Sequence, residues 1–193
     1  MTIDEYFAIP PDRRHTLLLY GNMKVLPSPG VQHNDATHNL GIVLRRWTHH
    51  YELGRLCFSI DMVLDKKESL VHAPDLVFVS TSHQRRLKHG RLYGAADLCV
   101  DIHEASESSF VSGRKFSDYQ RFGIPWYWSL YLSHDPPMME ECQLINGRYE
   151  CRSEISGDEW FEPGLFPGLV FRLPPLLEGD LKAAVKGKAK KLM

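Results

Sequence analysis

Residues 73–80, Ala-Pro-Asp-Leu-Val-Phe-Val-Ser, and residues 97–102, Asp-Leu-Cys-Val-Asp-Ile, decide how this chain folds. Each is a short, nearly continuous apolar run, as expected of a strand covered on both faces. Each also carries a carboxylate in company where an unpaired charge is expensive: Asp75 opens the first run and Asp101 lies near the end of the second. Side chains alternate along a strand, so Asp97, Cys99 and Asp101 share one face while Leu98, Val100 and Ile102 share the other. If the two strands are antiparallel neighbours, the start of one lies beside the end of the next, and Asp75 meets Asp101 at one edge of the sheet. Two carboxylates so placed repel unless a cation, a proton or a basic side chain stands between them.

Working outward, Thr2 and Glu5 form a capping box for a short first helix that Pro10 ends. Residues 17–27 read as a hairpin turning at Gly21-Asn22, followed by the loop Pro27-Ser28-Pro29-Gly30. Ala36, Leu40, Val43, Trp47 and Tyr51 recur at helical spacing and predict a helix over 34–53, stopped by Gly54. Residues 56–64 predict one strand, with Lys66-Lys67-Glu68-Ser69 as its turn. After residues 73–80 comes a basic loop holding His83, Arg85, Arg86, Lys88, His89 and Arg91. Residues 112–122 predict a helix, 126–132 an aromatic-rich strand, 143–152 a hairpin on Asn146-Gly147, and 164–173 a turn and a last strand.

The order helix, strand, strand, strand, helix, strand is an αβββαβ core of the α/β (α+β) class. Its helical crossover makes the last pairing parallel, and hence the central sheet mixed. The N-terminal hairpin and a C-terminal β extension flank it. Residues 1–178 read as a single domain. Beyond Glu178, Lys182, Lys186, Lys188, Lys190 and Lys191 among Ala and Gly read as a basic, flexible, solvated tail, either coil or partly helical, with weak phosphate binding as the sharper alternative.

With 193 residues, 43% hydrophobic and 24% charged, the chain is long enough for one well-filled core. Its apolar runs fall short of the roughly 20 residues a membrane helix needs. The acidic N-terminus lacks the features of a targeting peptide, so a cytoplasmic location is expected. A net charge of −1 argues against a dedicated nucleic-acid coat, though not against one local groove. The four Cys residues include no CxxC, which excludes the usual structural zinc sites. Cys142 and Cys151 lie symmetrically about the Asn146-Gly147 turn and face each other across it, as reduced thiols or as a cross-strand disulfide.

A hard divalent cation suits a pair such as Asp75 and Asp101. Mg²⁺ takes one or two carboxylates, keeps several waters and completes its shell with phosphate oxygens. It stabilises the charge that develops in phosphodiester hydrolysis. Either Asp alone could equally cap a turn or pair with an Arg.

Pro74-Asp75 followed by Asp101-Ile102-His103, in this order of elements, resembles the PD-(D/E)XK nuclease superfamily and, more closely, its Uma-type restriction endonuclease family. The supporting strings run from Thr2 to Leu173. They are MTIDEYFAIP, Ser28-Pro29 with His33 at the long helix, APDLVFVS, DLCVDI, Lys115-x-x-x-Tyr119-x-x-x-Gly123-Ile124-x-x-x-Trp128, and PGLVFRL. The resemblance implies a restriction-endonuclease-like fold and an Mg²⁺- or Mn²⁺-dependent endonuclease acting on DNA. Asp75 and Asp101 would be the metal ligands, and Lys115, on the following helix, would assist the attacking water or the phosphate. His103 stands where such nucleases often carry that lysine. It is either a metal ligand or proton relay, or an exposed loop residue. His33 either approaches the site edge or belongs to the surface or the packing.

The chain also departs from the pattern. Leu17, Tyr20 and Asn22 stand where the hairpin is expected to carry acids. Val111 replaces the acid one turn before Lys115, and Tyr131 the acid that ends the aromatic strand. Glu104-Ala105-Ser106-Glu107 replaces Ser-Pro-Ser, and the second acid is Asp rather than Glu. These losses motivate an alternative: a catalytically impaired descendant acting in binding or assembly. Trp126, Tyr127, Trp128 and Tyr131 put aromatics on both faces of one strand, which is either core packing or the face of a homodimer.

Overall fold

The computed structural model describes residues 1–10, 15–105 and 108–193. Thr2 caps the first helix, α1 (Ile3–Ala8), in a reciprocal capping box with Glu5. The hairpin β1 (Thr16–Leu19) and β2 (Asn22–Val25) follows. It turns at Tyr20-Gly21, one residue before the predicted pair, because Tyr20 and Gly21 are the two residues with positive φ, at 53° and 79°. The long helix α2 spans Val31–His50, starting earlier than predicted, at the N-cap Gly30.

The predicted strand over 56–64 is in fact two. β3 (Gly54–Phe58) and β4 (Met62–Asp65) belong to different sheets, and Ser59, at φ 44°, breaks the chain between them. β5 (Leu70–His72) and β6 (Leu76–Ser80) come next. The basic loop holds a 3-10 turn over Thr81–Arg86 and a small hairpin, β7 (Leu87–Lys88) with β8 (Arg91–Tyr93). β9 (Leu98–His103), α3 (Ser109–Arg121) and β10 (Trp126–Tyr131) complete the core. β11 (Met138–Ile145) and β12 (Arg148–Ser156) form the Asn146-Gly147 hairpin, in which Cys142 pairs in register with Cys151 and both are free thiols. The short pair β13 (Trp160–Phe161) and β14 (Phe171–Arg172) precedes α4 (Leu173–Leu177) and α5 (Leu181–Ala184).

The central sheet has the order β12-β11-β10-β9-β6-β3. β3, β6 and β9 form an antiparallel meander, α3 crosses over, and β10 pairs parallel with β9. The αβββαβ core, its mixed sheet and its C-terminal β extension are therefore present. The N-terminal hairpin does not stand alone: it joins a second sheet of order β2-β1-β5-β4-β8-β7.

Strand alternation divides the core in two. Leu76, Phe78, Leu98, Val100, Ile102, Trp128 and Leu130 face α2 and the C-terminal elements. Val77, Val79, Cys99 and Tyr127 face α3. Each buried side chain of this size contributes about 1.5–3 kcal/mol relative to exposure. Trp128 stacks edge-on against Phe161 and Phe166, and its indole N–H donates to the buried Glu141 at 2.9 Å. Tyr127 packs on Tyr119 and Tyr149. Tyr127 and Trp128 are thus covered within the chain, on opposite faces of the aromatic strand, while Trp126 and Tyr131 are half-buried.

After Glu178 the basic segment is partly helical, in α5, and packs on the core. Ala184, Val185 and Ala189 are buried in the main core, and Arg46 of α2 donates to the carbonyls of Leu192 and Met193. The small residues between the lysines are packing positions, while Lys188 and Lys190 remain exposed.

Candidate functional site

Strand register builds the site. β6 and β9 run antiparallel with Leu76 opposite Val100 and Val77 opposite Cys99. One step further along the same ladder, Asp75 comes opposite Asp101, on the face that α3 covers. The backbone N–H of Ile102 donates to Asp75 Oδ2 at 2.7 Å, holding the carboxylate at the strand end.

The buried stripe of α3 is Val111, Lys115, Asp118 and Tyr119, with two charged residues where a helix normally places apolar ones. Lys115 Nζ donates to Asp101 Oδ1 at 2.7 Å, the two side chains being 6% and 1% exposed. Among the described residues, Asp101 Oδ2 is buried and has no hydrogen-bond partner. Such an atom is a desolvated acceptor awaiting a donor or a cation.

The first turn of α2 brings His33 Nε2 to 3.2 Å from Asp75 Oδ1. Burial works against the charged imidazole, but Asp75, with help from the Glu104 carboxylate, outweighs it and raises the His33 pKa above its ordinary value. Burial likewise works against the Asp75 carboxylate. His33, Lys115 and the Ile102 N–H more than offset it, so the Asp75 pKa lies below the ordinary range. The two directions agree on a charged pair. Glu104 accepts from the Gly30 N–H at 3.1 Å, tying the end of β9 to the start of α2. A Cβ at Gly30 would lie 2.6 Å from Glu104 Oε1, so a larger residue there would displace the Glu104 carboxylate.

These residues border a groove of about 580 Å³. His33, Asp75, Glu104 and Lys115 line it, and Asp101 stands behind this lining. Ile9, Pro10, Met23 and Leu26, from α1 and the β1–β2 hairpin, give it an apolar wall. Of the basic-loop residues, Arg91 alone lines it; Arg86 is turned to the Ala95 carbonyl at 2.7 Å, and His83 to Asp97 at 2.8 Å.

The structure therefore brings Asp75, Asp101, Lys115 and His33 together and sets His103 apart. His103 is 6% exposed, stacks on Tyr131 at 4.8 Å and lies 3.4 Å from the Tyr127 hydroxyl. It is neither an exposed loop residue nor part of the groove lining. Two positions expected to carry functional groups, 103 and 131, are here directly opposite in the parallel ladder as an aromatic pair. Leu17 and Val111, two positions expected to carry acids, lie in one apolar cluster with Leu19 and Leu70. Tyr20, a third, donates to Asp118 Oδ1. Ser106 and Glu107, in the altered Ser-Pro-Ser stretch, lie outside the described residues.

Sequence reasoning missed the support beneath Lys115. His72, fully buried, lies with Nε2 2.9 Å from Asp118 Oδ2. With its Nδ1 buried and unpartnered, the ring fits best as neutral, donating from Nε2. Together with the Tyr20 hydroxyl, this contact fixes α3, and so Lys115, against the second sheet. The signal was a charged Asp three residues after Lys115 on the same buried stripe.

Among the described residues, no group of three or more His, Cys, Asp or Glu side chains is placed to hold a metal ion. That does not suit the closed protein cage of structural zinc. Two facing carboxylates with one uncommitted oxygen do suit a hard cation that keeps most of its own water.

The family model Uma2, described as "Putative restriction endonuclease", matches residues 3–174. Among solved structures, a protein from Anabaena variabilis, described as a putative nuclease belonging to DUF820, aligns with a TM-score of 0.75 at 14% identity, over 93% of this chain and 98% of its own. That likeness is one of fold. No protein of curated function matches the sequence.

Proposed function

The chain belongs to the Uma2 family of "Putative restriction endonuclease" proteins, and from that premise we propose that it hydrolyses DNA phosphodiester bonds with the help of a divalent cation. The observation that carries the reading is the cross-strand pair Asp75 and Asp101, with the Lys115 ammonium on one carboxylate oxygen and another oxygen left uncommitted. Asp75 and Asp101 would hold Mg²⁺ or Mn²⁺. When bound, such an ion supplies Lewis-acid stabilisation of phosphate charge and acidifies water.

The chain's own groups do the rest. His33 and the Ile102 N–H fix the rotamer of Asp75, so its orientation is set before substrate arrives. Lys115 lines the groove and carries the positive charge nearest Asp101, where it neutralises a bound phosphate and orients the attacking water. His103, away from the groove lining, acts as packing. Cleavage of supercoiled plasmid with Mg²⁺ or Mn²⁺, compared with Asp75→Ala, tests the proposal; equal nicking by both proteins rejects it.

A second reading, that of a nuclease fold used for binding or assembly, is favoured by the apolar cluster that fills positions 17 and 111. Calorimetry separates the two. Mn²⁺ binding abolished by Asp101→Ala supports the enzyme, and the absence of Mn²⁺ binding supports the second reading.

A further inference from the structure

Away from the carboxylate pair, the groove holds a second polar feature, on elements that the central sheet does not supply. Arg91, which opens β8, lies over Phe7 of α1, with its guanidinium carbon 3.7 Å from the ring centroid. Arg91 Nε is 3.6 Å from Asp61 Oδ2, too far for a hydrogen bond, and among the described residues it is buried without one. Asp61, Arg91 and Phe7 all line the same groove as Asp75 and Lys115. Burial raises the Asp61 pKa, an effect that Arg91 offsets only in part.

An arginine backed by an aromatic ring is a preformed stacking platform for a planar group, and Arg91, with its side chain 30% exposed, lines the groove. A carboxylate beside it accepts from the N–H edge of that group. Nucleobases offer a flat π-face together with their Watson–Crick N–H edge only when they are unpaired. The charge around the groove points the same way. A surface that tracks a duplex gains its affinity from many basic phosphate contacts. Here, beyond the carboxylate pair, Asp61 and Glu104 also stand among the cations, beside an apolar wall. A volume of about 580 Å³ is that of a pocket for one small group, within the roughly 300–1,000 Å³ typical of ligand sites.

We infer that the groove takes single-stranded nucleic acid, with one unpaired base stacked on Arg91 and hydrogen-bonded to Asp61 while the neighbouring phosphate lies towards Lys115 and Asp75. The inference rests on the phosphodiesterase reading for the phosphate and adds the base. It makes Arg91 and Asp61 binding residues, which act whether or not the bond is cut.

Fluorescence anisotropy with a short labelled DNA strand, and with the same strand annealed to its complement, tests this in EDTA, where turnover is not required. The single strand is expected to bind about tenfold more tightly than the duplex. Arg91→Ala and Asp61→Asn should each weaken single-strand binding by about five- to tenfold, the scale of one lost base stack. Arg91→Lys keeps the charge but not the flat stack, and should lose most of the preference. Thermal melting checks that each variant is folded; if Arg91→Ala is not, the isosteric Asp61→Asn decides. Duplex binding as tight as single-strand binding, no binding of either, or unchanged binding by folded variants overturns the inference. Preference for single strands without cleavage would support it while rejecting the nuclease proposal, and duplex cleavage without that preference would do the reverse.

Discussion

Removing the Lys115 ammonium would leave Asp101, 1% exposed, as an uncompensated buried charge. Lys115→Met is expected to cost about 3–5 kcal/mol in urea unfolding, whereas Lys115→Met combined with Asp101→Asn should cost clearly less than the sum of the single changes. An additive double variant would show that the pair is not coupled. His72 gives the pH dependence. Burial lowers its pKa from the ordinary 6.5, so the folded state keeps the ring neutral while the unfolded chain protonates it. The unfolded state then binds more protons, and this contribution, present above about pH 6.5, is lost as pH falls. Asp118 adds to it at lower pH. Burial opposes its charge, but His72 and Tyr20 outweigh that and depress its pKa below 3.8, so its share is present above that value and lost beneath it. Between pH 7.5 and pH 5.5 the urea midpoint should therefore fall more, or rise less, in the native chain than in His72→Gln, with His33 and its raised pKa working the other way in both; parallel slopes would remove His72 as the cause. The charged pair Asp75 and Asp101 was legible from alternation and strand order. The position of His103 was not, because nothing in its neighbours announces that Tyr127 and Tyr131 enclose it.

At the scale of elements, β3 begins at a residue that only glycine can fill. A Cβ on Gly54, at φ 155°, would sit 2.3 Å from the Val79 carbonyl oxygen and 2.7 Å from Ser80 Cα, both backbone atoms of the paired strand. Gly54→Ala is expected to destabilise by about 1–3 kcal/mol through the edge pairing of β3 with β6, measured as a lower urea midpoint with an unchanged slope. β6, β9 and β10 were readable because strands covered on both faces have continuous apolar runs. The break at Ser59 was not, since no glycine or proline marks it and the apolar pattern of 56–64 runs straight through. β5 is three residues long and ends in a buried His72, which gives periodicity too little to work on. α2 and α3 were placed to within a few residues, their starts hidden because Gly30 and Ser108 cap without a side-chain hydrogen bond, whereas α4 was not foreseen.

For the molecule as a whole, the two cores on either side of the central sheet are unequal in what closes them. The α2 side is completed by the last segment of the chain, where Ala184, Val185 and Ala189 are buried beside Leu173 and Leu176. Truncation after Gly179 should therefore lower the thermal midpoint by several degrees, while Lys188→Gln with Lys190→Gln should leave it nearly unchanged. Equal effects, or no loss on truncation, would return the segment to the solvated tail its composition suggests. Lysine-rich composition misled because alternate positions do different jobs: the charges stay in water while the small residues between them pack. The second sheet escaped notice for a related reason. Its strands are short and come from three separate stretches of sequence, and their common plane exists only once the central sheet has brought them together.

The apolar cluster at Leu17 and Val111 bears on stability. An acid placed at either position alone would bury a carboxylate against this cluster, a cost on the order of several kcal/mol. Within this cluster each apolar side chain makes an acid at its neighbour more costly, so Leu17→Glu and Val111→Glu should each destabilise the fold in urea unfolding, and the double variant by less than their sum.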